Sequence, residues 1–350
     1  MRRFTLTLTL LLAMTVAAFA QSLSTTDAVL VYYMPKTILA FDVTYTQTTR
    51  TQGPFYQYAE RYLGTKDIVM ADETVYELNN IALNTKTVAD PDRAYKITPS
   101  GNQKADIILD RKGLLVAYNA EEKEDNDKDN KVFNTDTQHK PHKAKKNDLQ
   151  LAPLSEEALF ASSKAKMAEA AAKQIYRIRE ARMNLISGDV EHMPADSKML
   201  SLMLEELEEQ EAELVALFVG ETRSRKQHKT IYLTPEQDEQ GKVLLRFSRF
   251  AGPVASDDLS GEPVVLNMTV SKKELQPSEE KNPKAVSDIR YNIPGEASVR
   301  VVDSKGKMLI NKTIPVAQFG VSVALPQDLI RRQPHILFNT RTGAILSINE

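Results

Sequence analysis

The 350-residue chain has no cysteine and no tryptophan, and its charge is almost balanced, with 45 Lys plus Arg against 47 Asp plus Glu. Without thiols there is no disulfide scaffold, no thiolate zinc site, no iron–sulfur cluster and no cysteine nucleophile. A near-neutral balance argues against a nucleic-acid binder that uses its whole surface. Only the first twenty residues form a long apolar run, which excludes a multi-pass helical membrane protein. The usual catalytic frames are missing as well: no G-x-S-x-G, no H-E-x-x-H, no P-loop and no G-x-G-x-x-G. No catalytic residue and no cofactor is therefore expected. A hydrolase working through paired carboxylates stays open, because such pairs leave no linear signature.

The opening residues have the three parts of an export signal. Arg2 and Arg3 supply the charged start, Leu8 to Val16 the apolar middle, and Ala18-Phe19-Ala20 the small-residue cleavage site. The expectation is a signal peptide over 1–20 and no transmembrane span in the mature chain. No cysteine follows the signal, so a lipid anchor on an N-terminal cysteine is excluded, and export without disulfides leaves stability to core packing.

Residues 21–119 read as a β-rich region with one short helix. Ala28–Tyr33 and Thr37–Tyr45 are rich in β-branched and aromatic residues. The second run places Leu39, Phe41, Val43 and Tyr45 on one face, and Pro35 separates the two. Phe55–Leu63 reads as a helix with Pro54 at its first turn and Gly64 past its end. Further strands are expected at Val75–Leu83, Ala94–Thr98 and Asp106–Asn119. Residues 120–150 carry an acidic run and then a basic one with almost nothing apolar to bury, the composition of a solvated linker.

Residues 151–222 change to a helical period. One helix is expected from Ser155 to Ser187 and a second from Asp196 to Gly220, with Leu200, Met203, Leu207, Leu214 and Leu217 on the second helix's stripe. The first carries Lys164, Lys166, Lys173, Arg177, Arg179 and Arg182; the second carries Glu205, Glu206, Glu208, Glu209, Glu211 and Glu213. Opposite charge and a short loop predict an antiparallel hairpin. Residues 223–350 return to strands and form a second β-rich region. The expected fold class is α+β, two β-rich domains joined by a long antiparallel helical hairpin. Asp110–Gly113, Asp303–Gly306 and Asn339–Gly343 share one turn chemistry, Asp or Asn followed by a basic residue and Gly.

Two segments invite a ligand. Asp125, Asp127, Asp129 and Asp136 stand at positions 1, 3, 5 and 12 of a calcium loop, but Asn130 replaces its glycine and position 12 is not Glu. A solvated charge run accounts for the same residues. Tyr32, Tyr33, Tyr56 and Tyr58 could supply rings for a glycan platform, but core packing uses the same residues and is the favoured reading, the more so without tryptophan.

The runs Val31–Thr37 and Gly53–Gly64, the Leu217–Gly220 helix end and the closing Phe338–Ile345 together resemble an exported Bacteroidetes family of the domain of unknown function 4831 type. The resemblance implies a Gram-negative envelope setting, periplasm or outer-membrane periphery, and transfers no activity and no catalytic residue. The expected function is a non-catalytic envelope protein with a structural or protein-interaction role, binding an envelope protein partner through the hairpin and no nucleic acid. A secreted glycan- or calcium-binding module is the alternative.

Overall fold

The computed structural model describes residues 30–97, 106–120, 154–191, 196–272 and 286–349. The expected signal peptide, most of the charged linker and the calcium-loop candidates Asp125, Asp127, Asp129 and Asp136 lie outside them. Among the described residues no helix is long and apolar enough to cross a membrane.

Two very long strands organise the molecule. β1 (Leu30–Thr51) and β2 (Glu73–Ile97) pair antiparallel along nearly their whole length. At about 3.3 Å per residue β1 would span roughly 70 Å if straight. Pro35 does not end it, contrary to the two-run reading. The ladder shifts beside it, Tyr33 pairing with Ala94 and Met34 with Asp90, so Pro91–Arg93 of β2 bulge out and the strand continues. The burial phase changes there too: Tyr32 and Met34 are buried before Pro35, and Leu39, Phe41 and Val43 after it.

The expectation of two β-rich domains joined by a hairpin is overturned by the strand order. β5 (Glu221–Leu233) pairs with β1, completing a three-stranded sheet β2-β1-β5. A five-stranded sheet follows the order β10-β9-β8-β6-β7 with β6 (Glu239–Ser248), β7 (Gly252–Val254), β8 (Glu262–Lys272), β9 (Val286–Val302) and β10 (Met308–Pro326). A four-stranded sheet, β12-β11-β4-β3, joins β3 (Ile107–Leu109) and β4 (Leu115–Tyr118) to β11 (His335–Phe338) and β12 (Ile345–Asn349). Two of the three sheets mix strands from both ends of the chain. The structure is β-rich, and no helical element separates an N-terminal from a C-terminal β domain.

Three cores result. In the first, Leu39, Phe41, Val43, Ile81 and Leu83 pack against Leu266, Met268, Val299, Val301 and Phe319, facing the three- and five-stranded sheets to one another. The second gathers Tyr32, Met34, Ile107, Leu115, Tyr118, Ile289, Leu325, Ile336 and Phe338 under the four-stranded sheet, with Ile330 from α5 (Gln327–Arg331). The third packs Phe55 and Ala59 against the helices.

The helices are α1 (Ala59–Leu63), preceded by a 3-10 turn at Tyr56–Tyr58, α2 (Glu156–Leu159), α3 (Lys164–Ser187) and α4 (Ser197–Val219). The single helix expected from Ser155 is two, because Ser155 and Ser163 each cap a separate start through their side chains. Ala168, Ala171, Ala172, Ile175 and Ile178 of α3 meet Leu214, Leu217 and Phe218 of α4. The small side chains of α3 allow close approach there. No long closed hairpin forms among the described residues: the Ser197 half of α4 has no buried side chain, and Met203 of the expected stripe stands exposed, as do Met199 and Leu202 outside that stripe.

Candidate functional site

The site residues named from sequence do not converge. Tyr32 is fully buried in the second core, where its hydroxyl donates to the Arg290 carbonyl at 3.1 Å and accepts from the Arg290 N–H at 2.7 Å. Tyr33 lies beside the Gly113 turn, and its backbone N–H donates to the Gly113 carbonyl at 2.9 Å. Tyr56 and Tyr58 belong to the 3-10 turn near the helices, with Tyr58 against Tyr62 at 6.3 Å between ring centroids. Tyr32 and Tyr33 stand on β1 and Tyr56 and Tyr58 on the 3-10 turn, only Tyr32 among them being fully buried, so the four rings build no common platform. Among the described residues no group of three or more His, Asp or Glu is placed to hold a metal ion.

The three turn sequences behave alike. Asp110 Oδ1 accepts from the N–H groups of Lys112 and Leu114, Asp303 Oδ1 from those of Lys305 and Lys307, and Asn339 Oδ1 from those of Arg341 and Thr342. Gly113, Gly306 and Gly343 supply the positive φ that each return needs.

Where the sheets meet, a buried polar junction pins them. Arg93 Nε donates to Asp90 Oδ2 at 2.7 Å, and its terminal nitrogens donate to the carbonyls of Pro35 at 2.7 Å and Ala317 at 3.4 Å. Gln318 exchanges hydrogen bonds with the backbone of Thr37 and also donates to Pro235. Asn292, fully buried, donates through Nδ2 to the carbonyls of Ala317 at 2.9 Å and Thr342 at 2.7 Å, while its Oδ1 has no hydrogen-bond partner. Every member bonds backbone of another strand or turn, which is what positions four segments distant in sequence. The arrangement is architectural: its donors are spent on backbone carbonyls and on the Asp90 carboxylate.

Two hollows among the described residues are small. A crevice beside Tyr33, Arg290, Phe338 and Asn339 holds about 10 Å³, scarcely the room of one water. A groove of about 160 Å³ lies over Leu78, Phe247 and Pro263, rimmed by Glu262, Asp303, Ser304, Lys305 and Lys307. Organic ligands usually occupy roughly 300–1,000 Å³.

Two surfaces are better built for contact. The first is the end of the helical pair farthest from the sheets. Its root is fixed: the carbonyls of Leu217 and Val219 at the end of α4 accept from the N–H groups of Phe55 at 2.7 Å and Val69 at 2.8 Å, and Phe55 lies on Phe218 at 5.5 Å. Arg179 and Arg182 of α3 both reach Glu211 of α4, at 2.7 and 3.2 Å. On α3 Lys173 hydrogen-bonds Glu169, which holds that carboxyl below and the lysine above their ordinary values. Beyond these contacts Met183, Ile186, Met199, Leu202 and Met203 are 39–66% exposed. Each helix thus turns large apolar side chains to solvent, Met183 and Ile186 on α3 and Met199, Leu202 and Met203 on α4.

The second is the outward face of the three-stranded sheet. Asp42 accepts from Asn84 Nδ2 and Thr230 Oγ1, both at 2.6 Å; Thr44 bonds His228 at 3.2 Å; and the exposed Tyr232 ring carries the Lys86 ammonium at 5.5 Å. Sequence reasoning missed these residues because β5 meets β1 across about 190 positions of chain, and nothing local announces the pairing.

Neither the curated proteins nor the solved structures contain a match to this chain. One family model does match, described as Domain of unknown function (DUF4831), over residues 29–346. That span takes in every described strand up to the start of β12, all five described α-helices and both contact surfaces, and the chain belongs to this family.

Proposed function

We propose that this chain is a non-catalytic, exported cell-envelope protein, in the periplasm or at the outer-membrane periphery of a Gram-negative bacterium, that works by docking a protein. The observation that carries the reading is the exposed apolar end of α3 and α4 on a root locked into the β body. Methionine and leucine side chains there adapt to a partner's surface, and burying them on contact is favourable by about 25 cal/mol per Å² of apolar area. Export rests on Arg2, Arg3, the Leu8–Val16 run and Ala18-Phe19-Ala20. A photo-crosslinking side chain at Leu202 should give protein adducts in living cells, whereas one at Ser224 on the sheet face should not. Equal adducts at both positions, or none at Leu202, would remove this reading. Turnover of an ester, glycan or peptide that a single substitution abolishes would remove the non-catalytic part.

The outward sheet face favours a second reading, a glycan-binding module. Asp42, Asn84, Thr230 and His228 present paired donors and acceptors beside the Tyr232 ring, the combination that recognises a polyhydroxylated chain. Calorimetry against a glycan panel, with Tyr232→Ala as control, tests it; no heat with any glycan would exclude it.

A further inference from the structure

We propose that the groove over Leu78, Phe247 and Pro263 is a binding site for a small organic acid: an ionised carboxylate on a short aliphatic body. None of the residues that line it belongs to α3 or α4, so the site stands or falls apart from the docking reading.

The floor is apolar and held from behind. Leu78 of β2, Phe247 of β6, Val264 of β8 and Leu309 of β10 line it, and all four belong to the first core or pack on it. Phe247 is set edge-on against Tyr45, with 6.1 Å between ring centroids. The volume of about 160 Å³ is near half the lower bound of roughly 300 Å³ usual for organic ligands. That room suits a short aliphatic body and is too small for a full lipid chain.

The charge of the rim selects the head group. Both of its acids are engaged within the chain: Glu262 accepts from Ser304 Oγ, and Asp303 Oδ1 accepts from the N–H groups of Lys305 at 2.9 Å and Lys307 at 2.8 Å. The same bonds fix the turn that carries the two lysines. Their exposed ammonium groups have no ion pair or hydrogen bond among the described residues. On the β2 side Asn79 Oδ1 accepts from Thr46 Oγ1 at 2.9 Å, and Asn79 Nδ2 has no partner among them either. What the rim leaves uncommitted is therefore donors, two of them cationic. A carboxylate offers only acceptors and the opposite charge, which complements that set.

A peptide strand fits less well. β2 is the edge of its sheet, but two residues before Leu78 the Tyr76 N–H already donates to the Arg249 carbonyl at 2.7 Å. The β6–β7 turn thus caps the edge where an added strand would have to pair.

Methyl-detected NMR of the purified full chain reads the site directly. Hexanoate should shift the methyl signals of Leu78, Val264 and Leu309, with a dissociation constant of about 1 mM for so small a ligand. Acetate, which lacks the body, and hexylammonium, which reverses the head, should leave them in place, and 1-hexanol should bind about tenfold more weakly. Lys305→Ala with Lys307→Ala should raise the hexanoate constant about fivefold or more, and added salt should act in the same direction. Both lysines are exposed, so the unfolding midpoint should stay unchanged. With Lys305→Glu and Lys307→Glu, hexylammonium should bind in place of hexanoate. No methyl shift up to about 20 mM hexanoate, hexanol binding as well as hexanoate, or a double alanine variant that binds like wild type overturns the inference. A peptide with a free carboxyl-terminal leucine that binds more tightly than hexanoate overturns the assignment to a small acid.

Discussion

Asn292 offers the sharpest test of how the sheets are joined. Its amide nitrogen holds the carbonyls of Ala317 and Thr342, at 2.9 and 2.7 Å, in a site with no exposed surface, and its Oδ1 faces nothing that donates. Asn292→Leu keeps the volume and removes both donors. Two hydrogen bonds are lost at about 1 kcal/mol each, and the Thr342 carbonyl loses this donor at a further cost of about 1–3 kcal/mol. Removal of the unpartnered Oδ1 returns a similar amount, so the net loss should be small, about 1–3 kcal/mol. Asn292→Asp is the harsher change despite its closer shape. It swaps the donor for an anion facing carbonyl oxygens, and Arg93, which shares the Ala317 carbonyl with Asn292, is already engaged by Asp90. Losing a needed partner at a buried charged site costs about 3–5 kcal/mol. Burial raises the new carboxyl's folded pKa above its unfolded value of about 3.9. Stability of this variant is therefore fullest below the unfolded value and falls as pH rises through the folded one. Urea unfolding followed by circular dichroism should rank wild type above Leu above Asp at neutral pH, with the Asp deficit shrinking toward about pH 4.5. An Asp variant as stable as wild type at neutral pH, or a deficit that does not change with pH, would refute the account of the junction.

Other parts of the structure make separate predictions. Gly320→Ala should prevent stable folding or cost well over about 3 kcal/mol, because the added methyl meets the Ile293 carbonyl and the Pro294 Cα at 2.7 Å; a normal urea midpoint would argue against that close crossing of β9 and β10. Phe218→Ala removes a fully buried ring shared with Phe55 and should cost about 3–5 kcal/mol, with faster amide exchange in α3 and α4; a loss below about 1 kcal/mol would mean that the third core is not what fixes the helices. Burial in the second core pushes the Tyr118 phenol above its ordinary 10.0. The unfolded chain then ionises first, so its contribution is complete below about pH 10 and is lost as pH rises through the folded value. Tyr118→Phe should flatten that alkaline decline, and an unchanged stability profile above about pH 10 would show that the hydroxyl is not desolvated.

Local chemistry was legible and long-range pairing was not. The caps Ser155 and Asp196, the stop at Gly188 and the Asp- and Asn-led turns each depend on a few adjacent residues, and all formed where the spacing put them. The alternation Leu39, Phe41, Val43 gave the inward face of β1 for the same reason. Pro35, in contrast, marked a break in sequence but only a ladder shift in the fold, because the extra length is absorbed by β2 at Pro91–Arg93. The β1–β5 and β4–β11 pairings, which merge the two β-rich regions, join residues about 190 and 220 positions apart and leave no periodicity to read. Tyr32 went to the core, the use favoured for it from sequence, although buried rings and ligand-stacking rings have the same composition. The surface proposed for docking was visible only in part: Leu200, Met203 and Leu207 suggested an apolar stripe, but only the structure separates its packed half from its exposed half.

The interleaving of the two ends of the chain also sets the order in which the protein can fold. β1 and β2 can zip as soon as both exist, yet their apolar face stays uncovered until β8, β9 and β10 arrive some two hundred residues later. The four-stranded sheet waits longer still, since β4 finds β11 only near the end of the chain. Such high contact order makes folding slow, with nascent edges open to wrong pairing in the interval. A chain cut after α4 would keep α1 to α4 and its longest strand pair, β1–β2, and lose the strands that cover that pair. The last third of the sequence is therefore what turns an aggregation-prone ribbon into a finished protein.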